Sequence, residues 1–198
     1  MSHKILHIDS SPRGEESVSK KLTAQVVDRL KSKRTDLEIN HRDISTGLPF
    51  VGPETLVGYF SAPADHSPET KKAVATSDQL IKELIEADTL VMGVPMWNFH
   101  VPAMVKAWVD LVVRANFTFK VTDEGNYEGI VPSGKKAYLV VTTGGVPVGS
   151  DMDMTSKYIV SILNFIGISD VTVIGAGALM GPQGEEVLKA AETQIASL

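Results

Sequence analysis

Apolar and polar positions along the chain fall into alternating short and long blocks. Residues 4–9 form a compact apolar run ending in Asp-Ser-Ser-Pro, which predicts a strand followed by a turn. From Ser17 to about Lys33, Val18, Leu22, Val26 and Leu30 recur every four residues with charges between them, predicting one amphipathic helix. Residues 37–44 alternate and are half polar, so they predict a second strand near a sheet edge. Residues 45–67 contain Pro49, Pro53 and Pro63 and predict a long irregular loop, a length that is uncommon inside a compact domain and often functional. The aromatics Phe50, Tyr59 and Phe60 within it predict that it packs on another element.

Ser67-Pro68-Glu69 then supplies an N-cap, a proline at the first helical position and an early acid. Ala73, Leu80, Ile81, Leu84 and Ile85 line the helix that follows. Thr89–Pro95 is almost wholly apolar, as suits a central parallel strand covered on both faces. The remaining pattern predicts a helix over about 102–115, an excursion with hairpin character over 117–133 and a buried strand at Lys136–Thr142. A helix over 155–166, a strand over 171–175 and a last helix from about 182 to 197 complete it. This alternation predicts a single α/β domain over residues 1–198: a five-stranded parallel sheet of order 2-1-3-4-5 with helices on both faces. In such a sheet, ligands bind in the crevice beyond the strand carboxyl ends.

Composition narrows the classes. Of 198 residues, 43% are hydrophobic and 22% charged, as in an ordinary globular domain. The absence of cysteine excludes disulfides, thiolate nucleophiles, Fe–S clusters and cysteine-ligated zinc, and it fits a reducing compartment. A net charge of -5 with no basic face argues against nucleic acid as a partner. The first residues lack the length and cleavage site of a signal peptide, and no apolar run approaches the roughly 18 residues of a membrane span. The expectation is a soluble cytoplasmic protein without a membrane partner.

The crevice rule selects three loops. Ser10-Ser11-Pro12-Arg13-Gly14-Glu15-Glu16-Ser17-Val18-Ser19 is rich in hydroxyls and runs into a helix N-terminus, where free N–H groups and the helix dipole favour a phosphate. Ser17 reads equally as a simple N-cap, and the Gly-Lys-Ser/Thr ending of a P-loop is missing. Pro95-Met96-Trp97-Asn98-Phe99-His100 offers apolar walls around one amide that both donates and accepts, a combination suited to a flat aromatic ligand. Core packing of the aromatics with Asn98 as a helix cap is the plainer alternative. Thr142-Thr143-Gly144-Gly145 ends in glycines that admit close approach of backbone N–H groups to a ligand, or that simply turn the chain. The topology gathers all three loops around one crevice.

These segments, with Pro102 and Phe165-Ile166-Gly167-Ile168, resemble the FMN-dependent NADH azoreductases over nearly the whole chain. Those are homodimeric flavodoxin-like flavoenzymes related to the two-electron quinone reductases. The resemblance implies FMN as cofactor, with Ser11, Ser17, Val18 and Ser19 at its phosphate and ribityl chain. It places Met96, Trp97, Asn98 and Phe99 around the isoalloxazine, and Thr142, Thr143, Gly144 and Gly145 at its pyrimidine side. Trp97 stands where many members have Tyr, and Thr143 where some have Arg. The resemblance further implies a ping-pong transfer of two electrons from NADH or NADPH, through FMN, to a quinone or azo compound. No side chain is then required as a covalent catalyst. Phe119 and Phe165 are candidate apolar walls of a substrate pocket at a two-fold dimer interface, with packing as the alternative for both. A flavodoxin-type electron carrier without direct reduction by NAD(P)H is the rival reading.

Other signals carry less. Gly175-Ala-Gly177-Ala-Leu-Met-Gly181 imitates a dinucleotide fingerprint, but its third glycine is displaced and no second βαβ unit follows. The five histidines are scattered without metal-ligand spacing, so no metal is expected. His100 near the crevice reads as a surface or helix-start residue. Asp9, placed like a phospho-acceptor, lacks a partner acid beside it.

Overall fold

The structure, a computed structural model, describes residues 2–198. Five parallel strands form the central sheet: β1 (His3–Asp9), β2 (Leu37–Asp43), β3 (Thr89–Pro95), β6 (Lys136–Thr142) and β7 (Asp170–Ala176), in the order β2-β1-β3-β6-β7. Two short strands, β4 (Phe119–Val121) and β5 (Tyr127–Gly129), form a separate antiparallel hairpin. Without that hairpin the sheet order is the expected 2-1-3-4-5. Half-polar β2 takes one edge, while β3, with six of its seven residues buried, takes the centre.

Helices α1 (Val18–Lys33) and α6 (Gly184–Ser197) cover one face. There Leu22, Val26 and Val27 of α1 and Ala191 and Ile195 of α6 close over Ile5, Val91, Val140 and Ile174. Helices α3 (Pro68–Glu86), α4 (Ala103–Val112) and α5 (Met154–Phe165) cover the other. Leu80, Leu84, Val105, Trp108 and Ile159 form that core with Leu6, Ile8, Met92 and Leu139.

The 45–67 segment is not wholly irregular. Pro53–Phe60 forms a helix, α2, and Pro63–Asp65 a 3-10 turn. Pro53 acts as a helix starter at the first turn, where its missing N–H is no loss. Gly58 lets α2 press onto α3, because a Cβ there would collide with Val74 Cγ1. Glu54 accepts from the Thr70 hydroxyl, and the His66 ring lies 3.1 Å from the Gly58 carbonyl oxygen. Of the three aromatics expected to pack, Tyr59 finds a partner while Phe50 and Phe60 stand exposed: buried Arg114, just after α4, lies over the rings of Tyr59 at 4.7 Å and Phe117 at 4.0 Å. Its guanidinium also donates to Asp78 at 2.5 Å.

Residue 58 therefore controls docking of the insertion. Gly58→Val should cost about 1–3 kcal/mol through overpacking and open the 45–67 segment to protease. Adding Val74→Ala should recover most of that loss in a thermal melt.

Candidate active site

Where the chain winds away from β1 in both directions, the carboxyl ends of β1, β3 and β6 frame a cleft of about 200 Å³. Ser11, Ser17, Val18, Ser19, Met96, Trp97, Thr142, Thr143 and Gly144, all expected from sequence, line it together. Asn98, Phe99 and Gly145 stand exposed beyond that lining, Asn98 and Phe99 on the turn that follows Trp97.

One end gathers hydrogen-bond donors. Ser17 caps α1, its hydroxyl accepting from the Lys20 N–H at 3.2 Å and lying 3.1 Å from the Ser19 hydroxyl. Lys21 N–H is taken by the Ser17 carbonyl. The N–H groups of Val18 and Ser19, first in the helix, have no acceptor among the described residues. Ser11 faces the same cleft with its hydroxyl near the Arg13 N–H at 3.4 Å. The loop is tied down from beneath: the Ser10 hydroxyl donates to the Gly93 carbonyl at 2.7 Å, and the Thr23 hydroxyl to buried Asp9 at 2.8 Å. Burial would raise the Asp9 pKa, but His7, His41 and the Thr23 hydroxyl together hold it below the usual value.

The apolar wall follows β3. Met96 N–H extends the ladder to the Thr142 carbonyl at 2.7 Å, and then Trp97 and His100 exchange N–H···O bonds of 2.8 and 3.0 Å across a two-residue turn. Both central residues have positive φ, 48° at Asn98 and 66° at Phe99. Asparagine tolerates this region, whereas a phenylalanine there carries roughly 1–2 kcal/mol of strain. Strain of this kind concentrates at functional sites. The His100 ring packs at 4.9 Å on Tyr158 of α5, which braces the turn.

The third loop divides its labour. Thr143, expected to contribute directly to a ligand, is a staple. Its N–H donates to the Ala176 carbonyl at 3.1 Å, and its hydroxyl bonds the Val146 carbonyl while accepting from Ala178 N–H at 2.9 Å. The Thr143 N–H is thus spent within the fold. Among the described residues, only the Gly144 and Gly145 N–H groups of that stretch are without an acceptor. Asp153 fixes the loop's far end as the cap of α5, accepting from Gly149 N–H at 2.8 Å, Ser156 N–H at 3.0 Å and the Ser156 hydroxyl. Burial would raise its pKa, but these donors outweigh that and hold it below the usual carboxylate range.

A larger hollow of about 520 Å³ lies beside β7, but Ser156 and Gln183 are the only polar side chains among its lining residues besides glycine and apolar groups. The Ser156 hydroxyl is already committed to Asp153. The smaller cleft, with convergent hydroxyls and free N–H groups, is the chemically equipped one.

A family model described as a flavodoxin-like fold matches residues 3–198. The chain is 46% identical over 195 residues to the FMN-dependent NADH:quinone oxidoreductase 1 of Hahella chejuensis (strain KCTC 2396), covering 98% of this chain and 94% of that protein. It is 44% identical over 193 residues to the FMN-dependent NADH:quinone oxidoreductase of Erythrobacter litoralis (strain HTCC2594), covering 96% of each. The chain belongs to this family of FMN-dependent NADH:quinone oxidoreductases and azoreductases. An azoreductase from Bacillus anthracis str. Sterne matches with a TM-score of 0.89 at 29% identity, over 98% of this chain and 97% of that one.

Within the frame of this family, sequence reasoning missed Arg13, Leu179 and Met180 as cleft residues. Arg13, a lone cation inside the hydroxyl-rich loop, was legible as an anion partner. Leu179 and Met180 arrive from the false dinucleotide fingerprint: Met180 N–H bonds the Gly144 carbonyl at 2.8 Å and its sulfur sits where a Gly144 Cβ would crowd it at 3.0 Å. Phe119 and Phe165 do meet, with centroids 5.0 Å apart, but Tyr127 joins them at 5.9 and 5.8 Å. This aromatic triad packs the β4–β5 hairpin on α5, and neither phenylalanine lines the cleft of the single chain.

Two outcomes test this geometry. Phe99→Gly should leave the fold as stable as the parent or up to about 1 kcal/mol more stable in a denaturant titration, because the left-handed strain is relieved. Asp153→Ala should cost about 1–2 kcal/mol at neutral pH. Because the folded-state pKa of Asp153 is depressed, its contribution is full above the ordinary carboxylate pKa and disappears as pH falls through the lowered one. The gap between parent and variant should close on acidification.

Proposed function

We propose that this chain is an FMN-dependent oxidoreductase that passes two electrons from NADH to quinones or azo compounds by a ping-pong mechanism. The observation that carries the reading is the convergence, in one cleft, of a hydroxyl-rich helix N-terminus, an apolar wall and Gly144 with its unpaired N–H group. The names of the relatives at 44% and 46% identity supply the cofactor and donor class. When bound, FMN supplies the redox chemistry, taking two electrons from one substrate and giving them to the next.

The residues fit that group from end to end. Ser11, Ser17 and Ser19 with the Val18 and Ser19 N–H groups would hold the phosphate at the positive end of the α1 dipole. Arg13 would add the only cationic side chain among the lining residues. Met96 and Trp97 would flank the ring system, and the Asn98–Phe99 turn would present an amide and a second ring at its rim. Gly144 and Gly145 N–H groups would donate to negative charge that develops at the pyrimidine side. The side chains position and polarise, and none is needed as a covalent catalyst.

The same reading includes a homodimer in the cytoplasm, with the absence of cysteine supporting a reducing compartment. Phe50 and Phe60 are 77% and 86% exposed, and Leu56, Val57, Phe99 and Tyr127 are exposed as well. Apolar groups of this size on the two excursions and on the turn after β3 favour a second copy that covers them and closes the substrate slot. No described helix is long and apolar enough to cross a membrane.

The test is anaerobic. Protein loaded with FMN and freed of excess should bleach near 450 nm on addition of NADH and recover colour with a quinone or azo acceptor. Ser17→Ala should weaken FMN retention about tenfold and cost about 1 kcal/mol as a lost cap. Retained flavin that no nicotinamide reduces would replace the enzyme reading with that of an electron carrier, and a protein that retains no flavin would remove the site assignment.

A further inference from the structure

The parallel register of β1 and β2 brings together three residues that are far apart in sequence. His7 and His41 are direct cross-strand partners, and Asp9 follows His7 by two on the same face. One donor atom from each lies within 4.8 Å of the others. His7 Nε2 is buried and has no hydrogen-bond partner, although it lies 3.4 Å from Asp9 Oδ1. His41 Nε2 is 2.9 Å from the other carboxylate oxygen. The two imidazoles lie side by side with centroids 4.6 Å apart. His7 and Asp9 are buried, whereas the His41 side chain is half exposed.

We propose that His7, Asp9 and His41 form a binding site for a borderline divalent cation of the zinc class. Two imidazoles and one carboxylate suit zinc, cobalt, nickel or copper better than calcium or magnesium, which prefer all-oxygen sets. Donors bound tetrahedrally to zinc lie about 3.3 Å from one another, given bonds of about 2.0–2.1 Å. The His7–Asp9 separation of 3.4 Å already matches that edge. A cation there gives the orphaned His7 nitrogen its missing partner, and Thr23 is the outer-sphere donor that orients the carboxylate. The open side at His41 provides an entry path and leaves a fourth position for water. Nearby Asp43 is already paired with Lys20 at 2.6 Å, so the ligand set ends at three.

The site lies immediately before the Ser10–Ser11 turn, so an ion clamps the edge strand to the root of the cleft loop. The inference does not rest on the proposed redox function, and its test reads metal rather than turnover. The full-length protein is dialysed against Zn²⁺ and its bound metal quantified, and Co²⁺ is added separately to record its visible absorption. The expected result is one zinc per chain, a raised melting temperature and intense tetrahedral-type cobalt bands. His41→Ala, a half-exposed substitution checked for folding by circular dichroism, should lower zinc affinity at least tenfold and abolish the cobalt bands. His3→Ala, at the other end of β1, should leave both unchanged. Absence of stoichiometric zinc, or equal affinity in His41→Ala, would overturn the proposal and leave a histidine–aspartate hydrogen-bonded cluster.

Discussion

A parallel strand buried on both faces needs a covering layer on each side, and β3 imposes that demand on this chain. The chain leaves β1 for the edge strand β2 through α1 on one face, then returns past β1 to β3 and on to β6 through α3 and α4 on the other. The sheet consequently winds both ways from β1, and a crevice opens where the two directions part. The Ser10 hydroxyl bound to the Gly93 carbonyl is the local expression of this arrangement, since it joins the start of the hydroxyl-rich loop to the central strand. Gly93 itself has no room for a side chain: a Cβ would stand 2.9 Å from Thr23 and 3.4 Å from the Asp9 carboxylate. The cleft is thus a product of how the core is covered, and its loops are free to carry chemistry because they carry little of the fold.

What was legible in the sequence follows from this division. Period and propensity disclose β1, β3 and β6 because burial on both faces leaves a continuous apolar mark. The hydroxyls before α1 and the Met96–Phe99 segment stand out because polar or bulky groups at strand ends serve no packing need. Helix α2 escaped notice because Pro53 and Gly58, breakers by propensity, act as a helix starter and a docking surface. The meaning of Thr143 also escaped: its residue type does not disclose that its hydroxyl is spent on Val146 and Ala178. The His7, Asp9 and His41 cluster depends on the register between two strands, which no local spacing records.

The strain at Phe99 and the stapling at Thr143 are complementary devices. One side of the cleft presents a ring through an unfavourable backbone conformation held by paired bonds between Trp97 and His100. The other presents bare N–H groups because neighbouring donors are consumed in holding the loop still. Both arrangements fix geometry before a ligand arrives, which lowers the ordering cost of binding.

Arg114 has a consequence of another kind. Its buried guanidinium stacks between Tyr59 of the first excursion and Phe117 at the root of the second, with Asp78 of α3 as counterion. The two excursions therefore share a single cationic rivet, although more than fifty residues of chain separate their aromatic contacts. They pack as one unit: replacing either segment alone with a relative's would strip one of the two rings that cover the Arg114 charge, leaving Asp78 as its counterion.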